Sequence, residues 1–141
     1  MDAEAIDVEG LDIFEQFAAD EQKEIEGVDC QIGGGAILKV ARSGNKKYAR
    51  KFQQLYEKHQ RTLDLKNAAS DDLADQIMIA VMAETVLLGW TGIKYKGKTL
   101  PYSVDNAKML LAVKDFRALV SKLSGDFETY RLAQKAEAEE N

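Results

Sequence analysis

Nucleophilic and acid–base catalysis are the first chemistries to look for, and the residues they need are scarce in this sequence. A covalent mechanism requires a nucleophile, a base and a group that orients the base, all within hydrogen-bond reach. The chain has one cysteine, Cys30, and one histidine, His59. These two residues lie on different predicted elements, and no obvious third group orients them. The sequence therefore predicts no catalytic residue and no enzymatic activity.

Metal and cofactor binding is the second chemistry to consider. Asp71, Asp72 and Asp75 are close together in the sequence, but they lack the oxygen-rich loop that hard cations require. His59 has no cysteine or histidine partner at metal-ligand spacing. The adjacent acids fall at the start of a predicted helix, where they are favoured by the helix dipole. We therefore predict no metal ligand and no cofactor.

Three consecutive glycines, residues 33–35, raise the question of a phosphate-binding loop. The stretch lacks the Lys-Ser/Thr pair of a P-loop, and the residues after it have the pattern of a strand instead of a helix. Val28, Cys30 and Ile32 alternate with polar residues before the glycines, and a second apolar segment follows them. This pattern predicts an N-terminal β-hairpin with a glycine turn.

Two long helices are predicted after the hairpin. Residues 44–66 form an amphipathic helix with Ser43 or Asn45 as its N-cap. The second helix begins at Ser70, as N-cap, and ends at Gly89. It is apolar nearly all round in its second half, so it is either central in the fold or faces a partner. The apolar stripe of the first helix consists of Tyr48, Phe52, Leu55, Tyr56, His59 and Leu63.

Two further helices complete the predicted fold. Ser103 caps one of them, and Asp115 starts the last. The intervening residues 90–102 are predicted to form a short hairpin or extended loop with a turn at residues 97–98. The predicted class is mainly α (α+β): a compact domain of about four helices, a small N-terminal β-hairpin and the short hairpin at 90–102.

Charge divides the chain into segments. Residues 1–27 carry one lysine against ten acids, a net charge of −9, and residues 39–66 carry nine bases against two acids, a net charge of +7. We predict that residues 1–27 form a flexible acidic arm, that 28–134 form a single mostly helical domain, and that 135–141 fray into solvent. The arm could fold back on the basic helix, guard it against anions, or only solubilise the chain.

Localisation follows from two negative observations. The N-terminus lacks the basic region and apolar run of a signal peptide, and no apolar run approaches the length of about 20 residues that spans a bilayer. The sequence predicts a cytoplasmic protein with no membrane partner.

The basic helix 44–66 also suggests a nucleic-acid-binding or regulatory factor. Its lysines and arginines alternate with Tyr48, Phe52 and Tyr56, which could stack on bases. These aromatic residues follow the apolar stripe, however, so we expect them to be buried and unavailable. The whole chain carries a net charge of −5, whereas domains that bind nucleic acid are usually basic. We keep this function as the alternative.

The colinear order of several segments resembles the tail assembly chaperones of long-tailed (siphovirus-type) bacteriophages. The order is "VDCQI…AILKVARSGNKKYARKF", then a helix, then "AETVLLGWTGIKYKGKTLPYSVDNAKMLLA", then a last helix with Phe116. In that family a helix with a "hydrophobic-x-GW" end leads into a "G-I-x-x-x-G-x-x-L-x-[YF]-[ST]" segment and a leucine-rich helix. The corresponding residues are Leu87, Gly89, Trp90, Gly92, Ile93, Gly97, Leu100, Tyr102, Ser103, Leu110 and Leu111.

The resemblance implies a function in virion assembly. Such chaperones keep the long helical tape measure protein soluble and help to recruit the major tail (tube) protein. A longer frameshifted form of the same chain is a further implied partner. The resemblance also implies a location in the host cytoplasm and absence from the mature virion; a minor structural virion protein would differ in this last respect.

A chaperone of this kind needs apolar surface that a partner can reach. The helices at 73–88 and 107–123 could supply it, although both could equally bury each other in a core. The candidate partner-binding residues are Ile77, Met78, Val81, Met82, Leu110, Leu111, Phe116 and Leu119.

Four residues near the second helix end are predicted to be structural: Trp90, Gly89, Tyr102 and Ser103. We expect Trp90 to plug the core where the second helix ends, with residues 90–102 as a clip over it. Replacing Trp90 with alanine is then expected to destabilise the fold by about 3–5 kcal/mol.

Overall fold

The computed structural model of the chain describes residues 9–132. The first eight residues of the predicted arm and the predicted frayed tail, 135–141, lie outside the described residues. The helices are α1 (Ile13–Phe17), α2 (Glu21–Glu26), α3 (Lys46–Lys58), α4 (Gln60–Asp64), α5 (Ala68–Thr85), α6 (Val104–Leu111), α7 (Lys114–Ser124) and a 3-10 turn (Phe127–Tyr130). The strands are β1 (Val28–Gly33), β2 (Ala36–Val40), β3 (Leu87–Thr91), β4 (Lys94–Tyr95) and β5 (Lys98–Thr99). The predicted mainly helical α+β class is confirmed.

The N-terminal hairpin is present as predicted, but it belongs to a larger sheet. Strands β1 and β2 pair in antiparallel register from Val28↔Val40 to Gly33↔Ala36. Strand β3 pairs antiparallel with the other edge of β2, which gives the order β1-β2-β3. The sequence did not predict β3, because Leu87 and Leu88 continue the apolar run of the preceding helix.

The end of α5 is therefore earlier than predicted. The helix stops at Thr85, and Val86 has the non-helical angles φ −121° and ψ −58°. Gly89 does not end the helix but lies in the middle of β3, opposite Lys39 of β2. Pairing with β2 satisfies backbone groups that a longer helix would have used internally, and it places Leu87 opposite Val40 on the core face.

The predicted helix 44–66 is bent in two. Its N-cap is Asn45, one of the two predicted candidates. The Asn45 Oδ1 accepts from the backbone N of Tyr48 at 2.9 Å. The Asn45 amide also donates to the carbonyl of Thr85 at 3.2 Å. Helix α3 ends at His59, where φ is −113° and ψ is 17°, and α4 continues in a new direction. His59 thus lies at a bend and not within one continuous stripe.

Helix α5 begins two residues before the predicted cap. Asn67 is the N-cap, and Ser70 completes a capping box with it as the third helical residue. The Ser70 hydroxyl donates to the carbonyl of Thr62 at 2.6 Å, which fastens the end of α4 to the start of α5. The correction has a local cause: asparagine is at least as good an N-cap as serine.

The last two helices are shorter than the pattern indicates. Ser103 caps α6 as predicted, accepting from the backbone N of Asn106 at 3.0 Å. Helix α7 begins at Lys114, one residue before the predicted start, and ends at Gly125. The apolar residues beyond it fall in the 3-10 turn instead of a continued helix. The interruption agrees with the low helix propensity of glycine.

The core lies between the sheet and the helices α5, α6 and α7. Tyr130 from the 3-10 turn is fully buried, and its hydroxyl donates to the carbonyl of Val40 at 2.9 Å. Burial of such apolar side chains stabilises a fold by about 1.5–3 kcal/mol each. The central cluster contains Leu38, Val40, Met82, Ala83, Val86, Leu87, Ala107, Leu111 and Val120.

The described part of the predicted arm, residues 9–27, is attached to the domain. The backbone N of Asp20 donates to the carbonyl of Tyr130 at 2.7 Å, and residues Ala19 and Arg131 form an antiparallel bridge. Glu21 pairs with Lys46 at 2.7 Å. Residue 27 is therefore not a boundary between a separate arm and the domain, and the acidic segment contacts the start of the basic helix.

Candidate partner-binding surface

The residues that could have done covalent chemistry are dispersed. Cys30 lies on β1, half-buried, and burial together with the nearby Asp29 and Asp126 raises the pKa of its thiol. A raised pKa keeps the thiol protonated and poorly nucleophilic near neutral pH. His59 lies at the α3–α4 bend. Across residues 9–132, no group of three or more His, Cys, Asp or Glu side chains is gathered as metal ligands would be.

Trp90 and Tyr102 join the 90–102 segment to the sheet. The Trp90 indole Nε1 donates to the carbonyl of Leu100 at 2.8 Å, and the Tyr102 hydroxyl donates to the carbonyl of Leu87 at 2.8 Å. The two rings meet edge to face, with centroids 4.9 Å apart. Because both polar atoms bind backbone carbonyls inside the fold, this pair acts as a clip rather than as a ligand site.

The close approach in this clip depends on Gly92, not on Gly89. Gly92 has φ +72°, and a Cβ there would lie 2.8 Å from the carbonyl oxygen of Gly35. A Cβ at Gly89 would meet only Lys39 Cβ at 3.8 Å, an ordinary contact. The predicted structural role of Gly89 as a helix terminator is therefore wrong, and Gly92 holds the glycine turn of the hairpin against the end of β3.

The eight candidate partner-binding residues are separated by the fold. Val81, Met82, Leu110 and Leu111 are buried on α5 and α6, and Val81, Met82 and Leu111 present almost no surface. Phe116 and Leu119 on α7 are half-buried, with Phe116 packed against the core cluster. Ile77 is also buried, with 6% exposure, and Met78 is half-buried. Of the predicted set, only these two residues line a surface groove.

The groove lies between α3, α4 and α5 and is lined by apolar side chains. Its volume is about 190 Å³, and it is lined by Phe52, Tyr56, Leu63, Ala74, Ile77 and Met78. Phe52 is 36% exposed and Tyr56 41% exposed. The expectation that these aromatic residues are buried is therefore wrong. We call this surface the α3–α5 groove.

The shape of α3 explains why these rings remain open. Residues along a helix are separated by about 100°, so Tyr48 and Leu55 point at α5 while Phe52 and Tyr56 lie on the flank. The helix is interrupted at His59, and α4 packs against α5 and contributes Leu63 to the groove. The apolar stripe is thus wider than the surface that α5 covers, and the uncovered part forms one wall of the groove.

The groove wall is built as a stack. The rings of Tyr48 and Phe52 are nearly parallel with centroids 6.4 Å apart, and those of Phe52 and Tyr56 lie 6.2 Å apart. The Tyr48 hydroxyl approaches the sulfur of Met78 on the opposite wall at 3.4 Å. Aromatic rings spaced four residues apart on a helix support one another, so the stacked rings hold this wall in place.

Charge is unequal on the two walls. Residues 46–61, on the α3–α4 wall, carry six bases against Glu57, and Lys51 pairs with Glu84 at 3.2 Å. The α5 wall carries Asp71 and Asp75 near its exposed start and no basic residue. Most bases of α3 lie on a different face of the helix from Phe52 and Tyr56, because they occur at other angular positions. The α3 side of the groove is therefore apolar, and the bases of α3 lie away from it.

A second apolar surface lies on the N-terminal segment. Leu11, Ile13 and Phe14 are each more than half exposed, and Phe14 reaches 70%. Phe17 rests on Phe127 with ring centroids 5.3 Å apart. The helical spacing of these residues is visible in the sequence, but the exposure of Phe14 could not be read from it.

Within residues 9–132, no helix combines the length and the apolar character required to cross a bilayer.

A comparison of the chain with protein families gives a match. A family model described as YdaY prophage protein matches residues 43–141. No curated protein and no solved structure matches the chain. The match confirms the phage origin that the resemblance predicted, while the narrower assignment as a tail assembly chaperone stays a prediction.

Proposed function

The chain belongs to the YdaY prophage protein family, and we propose that this phage-derived protein is a tail assembly chaperone that holds apolar helices of the tape measure protein. The observation that carries the proposal is the α3–α5 groove, where two aromatic rings stand open beside Met78. The colinear pattern around Trp90 and Tyr102 supports it. In this role the protein acts in the host cytoplasm, is absent from the mature virion, and also meets the major tail (tube) protein and a longer frameshifted form of itself.

The groove has the chemistry that a helix-holding protein needs. An amphipathic helix binds a groove by inserting side chains spaced three or four residues apart. Phe52, Tyr56 and Met78 offer such anchors a concave apolar surface, and methionine adapts to differently shaped side chains. A few buried aromatic contacts supply most of the affinity at an interface of this kind. The binding therefore does not require one fixed partner sequence.

The test is co-expression of the chain with the candidate tape measure protein, followed by size-exclusion chromatography. The double variant Phe52→Ser/Tyr56→Ser removes the aromatic wall, and Leu65→Ser removes an apolar residue that is 65% exposed and does not line the groove. We expect the long protein to be soluble and to co-elute with the wild type and Leu65→Ser, but to aggregate with the double variant. Equal solubility with all three proteins would contradict the groove, and aggregation with all three would contradict the chaperone function.

Nucleic-acid binding is the second candidate, and the exposure of Phe52 and Tyr56 favours it more than the sequence did. The bases of α3 lie at other angular positions than these rings, so a strand could not easily contact both at once. Fluorescence titration with a single-stranded oligonucleotide at several salt concentrations decides the matter. A steep loss of affinity with salt that is weakened in Lys47→Gln/Arg50→Gln would support this function, and no binding at low salt would exclude it.

A further inference from the structure

Strand β1 is the outer strand of the three-stranded sheet and pairs with β2 along one side only. Its solvent-facing residues Asp29 and Gln31 are exposed, and Cys30 and Ile32 on the core face are only partly buried. Within residues 9–132, no other strand of the sheet lies along its outer side. The open side of an outer strand presents N–H and C=O groups that a further strand can bind.

The hydrogen-bond directions along β2 alternate, and two contacts fix which of its residues bond to which neighbour. The glycine turn at 34–35 has positive φ at both residues and closes on the pair Gly33–Ala36, so Ala36 bonds to β1. Ala41 faces the other way, because its backbone N donates at 2.8 Å to the carbonyl of Val86, which leads into β3. Even-numbered residues of β2 therefore bond to β1, and odd-numbered residues bond to β3.

The same alternation shows which backbone groups of β1 point outward. Val28 and Cys30 lie opposite even-numbered residues of β2 and therefore bond to that strand. Asp29 and Gln31 alternate with them, so their N–H and C=O groups point away from the sheet. In the described part of the chain, no backbone group binds these two residues from the outer side. The outer edge thus offers two donors and two acceptors.

The segment "VDCQI" of β1 is complementary to itself. When two antiparallel copies are centred on Cys30, Asp29 of each copy lies opposite Gln31 of the other. These are the two residues with outward-pointing backbone groups, so each pair exchanges both of its hydrogen bonds. On the solvent face, the Asp29 carboxylate then meets the Gln31 amide, an acceptor beside a donor. On the core face, Val28 lies opposite Ile32.

Neighbouring registers lose this match. A shift of one residue in the pairing would turn the core face of one copy towards the solvent face of the other. Centring on Asp29 would set two carboxylates directly opposite each other, which is destabilising. Centring on Gln31 would place Asp29 opposite Gly33, whose backbone already pairs with Ala36. The register centred on Cys30 is therefore favoured.

We propose that β1 of one copy of the chain pairs with β1 of a second copy about a two-fold axis at Cys30, which joins two three-stranded sheets into one sheet of six strands. Backbone hydrogen bonds supply the affinity, as in other cases of strand addition. The same edge is used by both copies, so association closes at the dimer. The contact uses no residue of the α3–α5 groove, so it does not depend on the proposed function and leaves both grooves open.

The experiment is sedimentation velocity on the full chain from about 1 µM to about 1 mM, the range in which weak contacts dissociate. We expect the wild type to approach the mass of a dimer and no larger species. Gln31→Glu sets a carboxylate opposite Asp29 and weakens the dimer by about fivefold or more, whereas Gln31→Lys strengthens it by a similar factor. The same two changes at Gln54, an exposed residue of α3, leave the dimer unaltered. Far-ultraviolet circular dichroism checks that each variant is folded.

Mixing two variants of opposite charge gives the decisive result. Gln31→Glu and the double variant Asp29→Lys/Gln31→Lys each set like charges opposite each other when they pair with themselves. In an equimolar mixture, both cross-strand pairs join a lysine to an acid, so the mixture forms a dimer although each variant alone stays largely monomeric. A wild type that is monomeric at every concentration overturns the proposal, and so does a mixture that stays monomeric although the wild type dimerises.

Amide hydrogen exchange, followed by NMR, tests whether the backbone makes the contact. We expect the amides of Asp29 and Gln31 to exchange at least about tenfold more slowly at the highest concentration than at the lowest, because pairing protects them. Amides of α3 keep their rates. A dimer in which the two β1 amides are not slowed uses another surface and overturns the proposal. Residues 29 and 31 do not line the groove, so co-expression with the tape measure protein tests the proposed function separately.

Discussion

Two pairs of aromatic residues behave in opposite ways in this fold. Trp90 and Tyr102 meet edge to face at 4.9 Å, and both donate to backbone carbonyls. Phe52 and Tyr56 stack at 6.2 Å on the flank of α3 and remain more than a third exposed. In the first pair, Trp90 lies on β3 and Tyr102 in the connection that leads to α6, where binding residues are often found, and yet the pair holds the structure together. The second pair lies on an apolar helical stripe that the sequence predicts to be buried, and yet both rings are partly exposed.

The difference shows that the coverage of a residue, rather than its type or its element, decides whether it is available. Residues 92–102 fold back over β3, so Trp90 and Tyr102 find partners within the chain. The α3 stripe packs mainly against a single helix, α5, which covers Tyr48 and Leu55 more than Phe52 and Tyr56. The following predictions test this contrast, from the largest expected effect to the smallest.

Removing the indole of the closed pair should have the largest effect. Trp90→Ala deletes a half-buried aromatic side chain and its hydrogen bond to Leu100, and we expect a loss of about 3 kcal/mol in the free energy of unfolding. Urea denaturation measures it. Tyr102→Phe keeps the ring but loses one hydrogen bond, so it should lose only about 1 kcal/mol. An unchanged midpoint for Trp90→Ala would mean that the pair is not a clip.

Two glycines of the same segment should differ sharply. Gly92→Ala forces a Cβ to within 2.8 Å of the Gly35 carbonyl at φ +72°, and we expect it to destabilise the fold by about 1–3 kcal/mol. Gly89→Ala is the matched control, since its Cβ has room, and its effect should stay within about 0.5 kcal/mol. Equal effects of the two changes in thermal denaturation would refute the close approach that we assign to Gly92.

The buried phenol of Tyr130 should make the closed side of the fold sensitive to alkali. Burial raises the pKa of Tyr130 well above its ordinary value of 10.0. The folded state therefore keeps a proton that the unfolded state releases. The contribution of Tyr130 is fully present below about pH 10, and above it stability falls by up to about 1.4 kcal/mol per pH unit until the folded-state pKa is reached.

Urea denaturation from about pH 8 to about pH 11 checks this dependence. Tyr130→Phe should be less stable by about 1 kcal/mol below about pH 10, because it lacks the hydrogen bond to Val40. Above that pH its free energy of unfolding should fall less steeply than that of the wild type, because one titrating proton is missing. Cys30 and Tyr102, whose pKa values are also raised, account for a remaining slope in the variant. A slope identical to that of the wild type would show that Tyr130 does not titrate in this way.

Changing the open pair should have the smallest effect on stability. Phe52→Ser is expected to destabilise the fold by less than about 1 kcal/mol, because its ring is partly in water already. The same change should reduce capture of an apolar helical partner, measured by co-elution. A loss as large as that of Trp90→Ala would mean that Phe52 is a core residue and would remove the contrast between the two pairs.

Local patterns were sufficient for most of the fold. The alternation around residues 33–35 predicted the hairpin, Ser103 was correctly read as a helix cap, and the periodicity of residues 46–58 predicted a helix. These features depend on neighbours in the chain, so a single sequence carries them. The extra strand β3 could not be read in this way, since Leu87 and Leu88 are equally compatible with the end of an apolar helix.

The candidate surface was predicted less well for the same reason. Met78 lines the groove, but the sequence could not separate it from Ile77, Val81 and Met82, which have the same apolar character and are buried. Phe52 and Tyr56 were expected to be buried because an apolar stripe usually faces a core. Which part of a stripe is covered depends on residues distant in the chain.

By itself, the sequence determined the helical character of the chain, its hairpin and the separation of its acidic and basic segments, because these depend on local residue spacing and composition. The tertiary structure alone decided that Leu87–Thr91 joins the sheet, that the N-terminal segment binds residues 127–132, and that the flank of α3 stays open. These outcomes depend on contacts between backbone groups and apolar surfaces that are far apart in the sequence. A strand or helix face that packs against one element is no longer available to another, and local residue spacing does not show which element it will be.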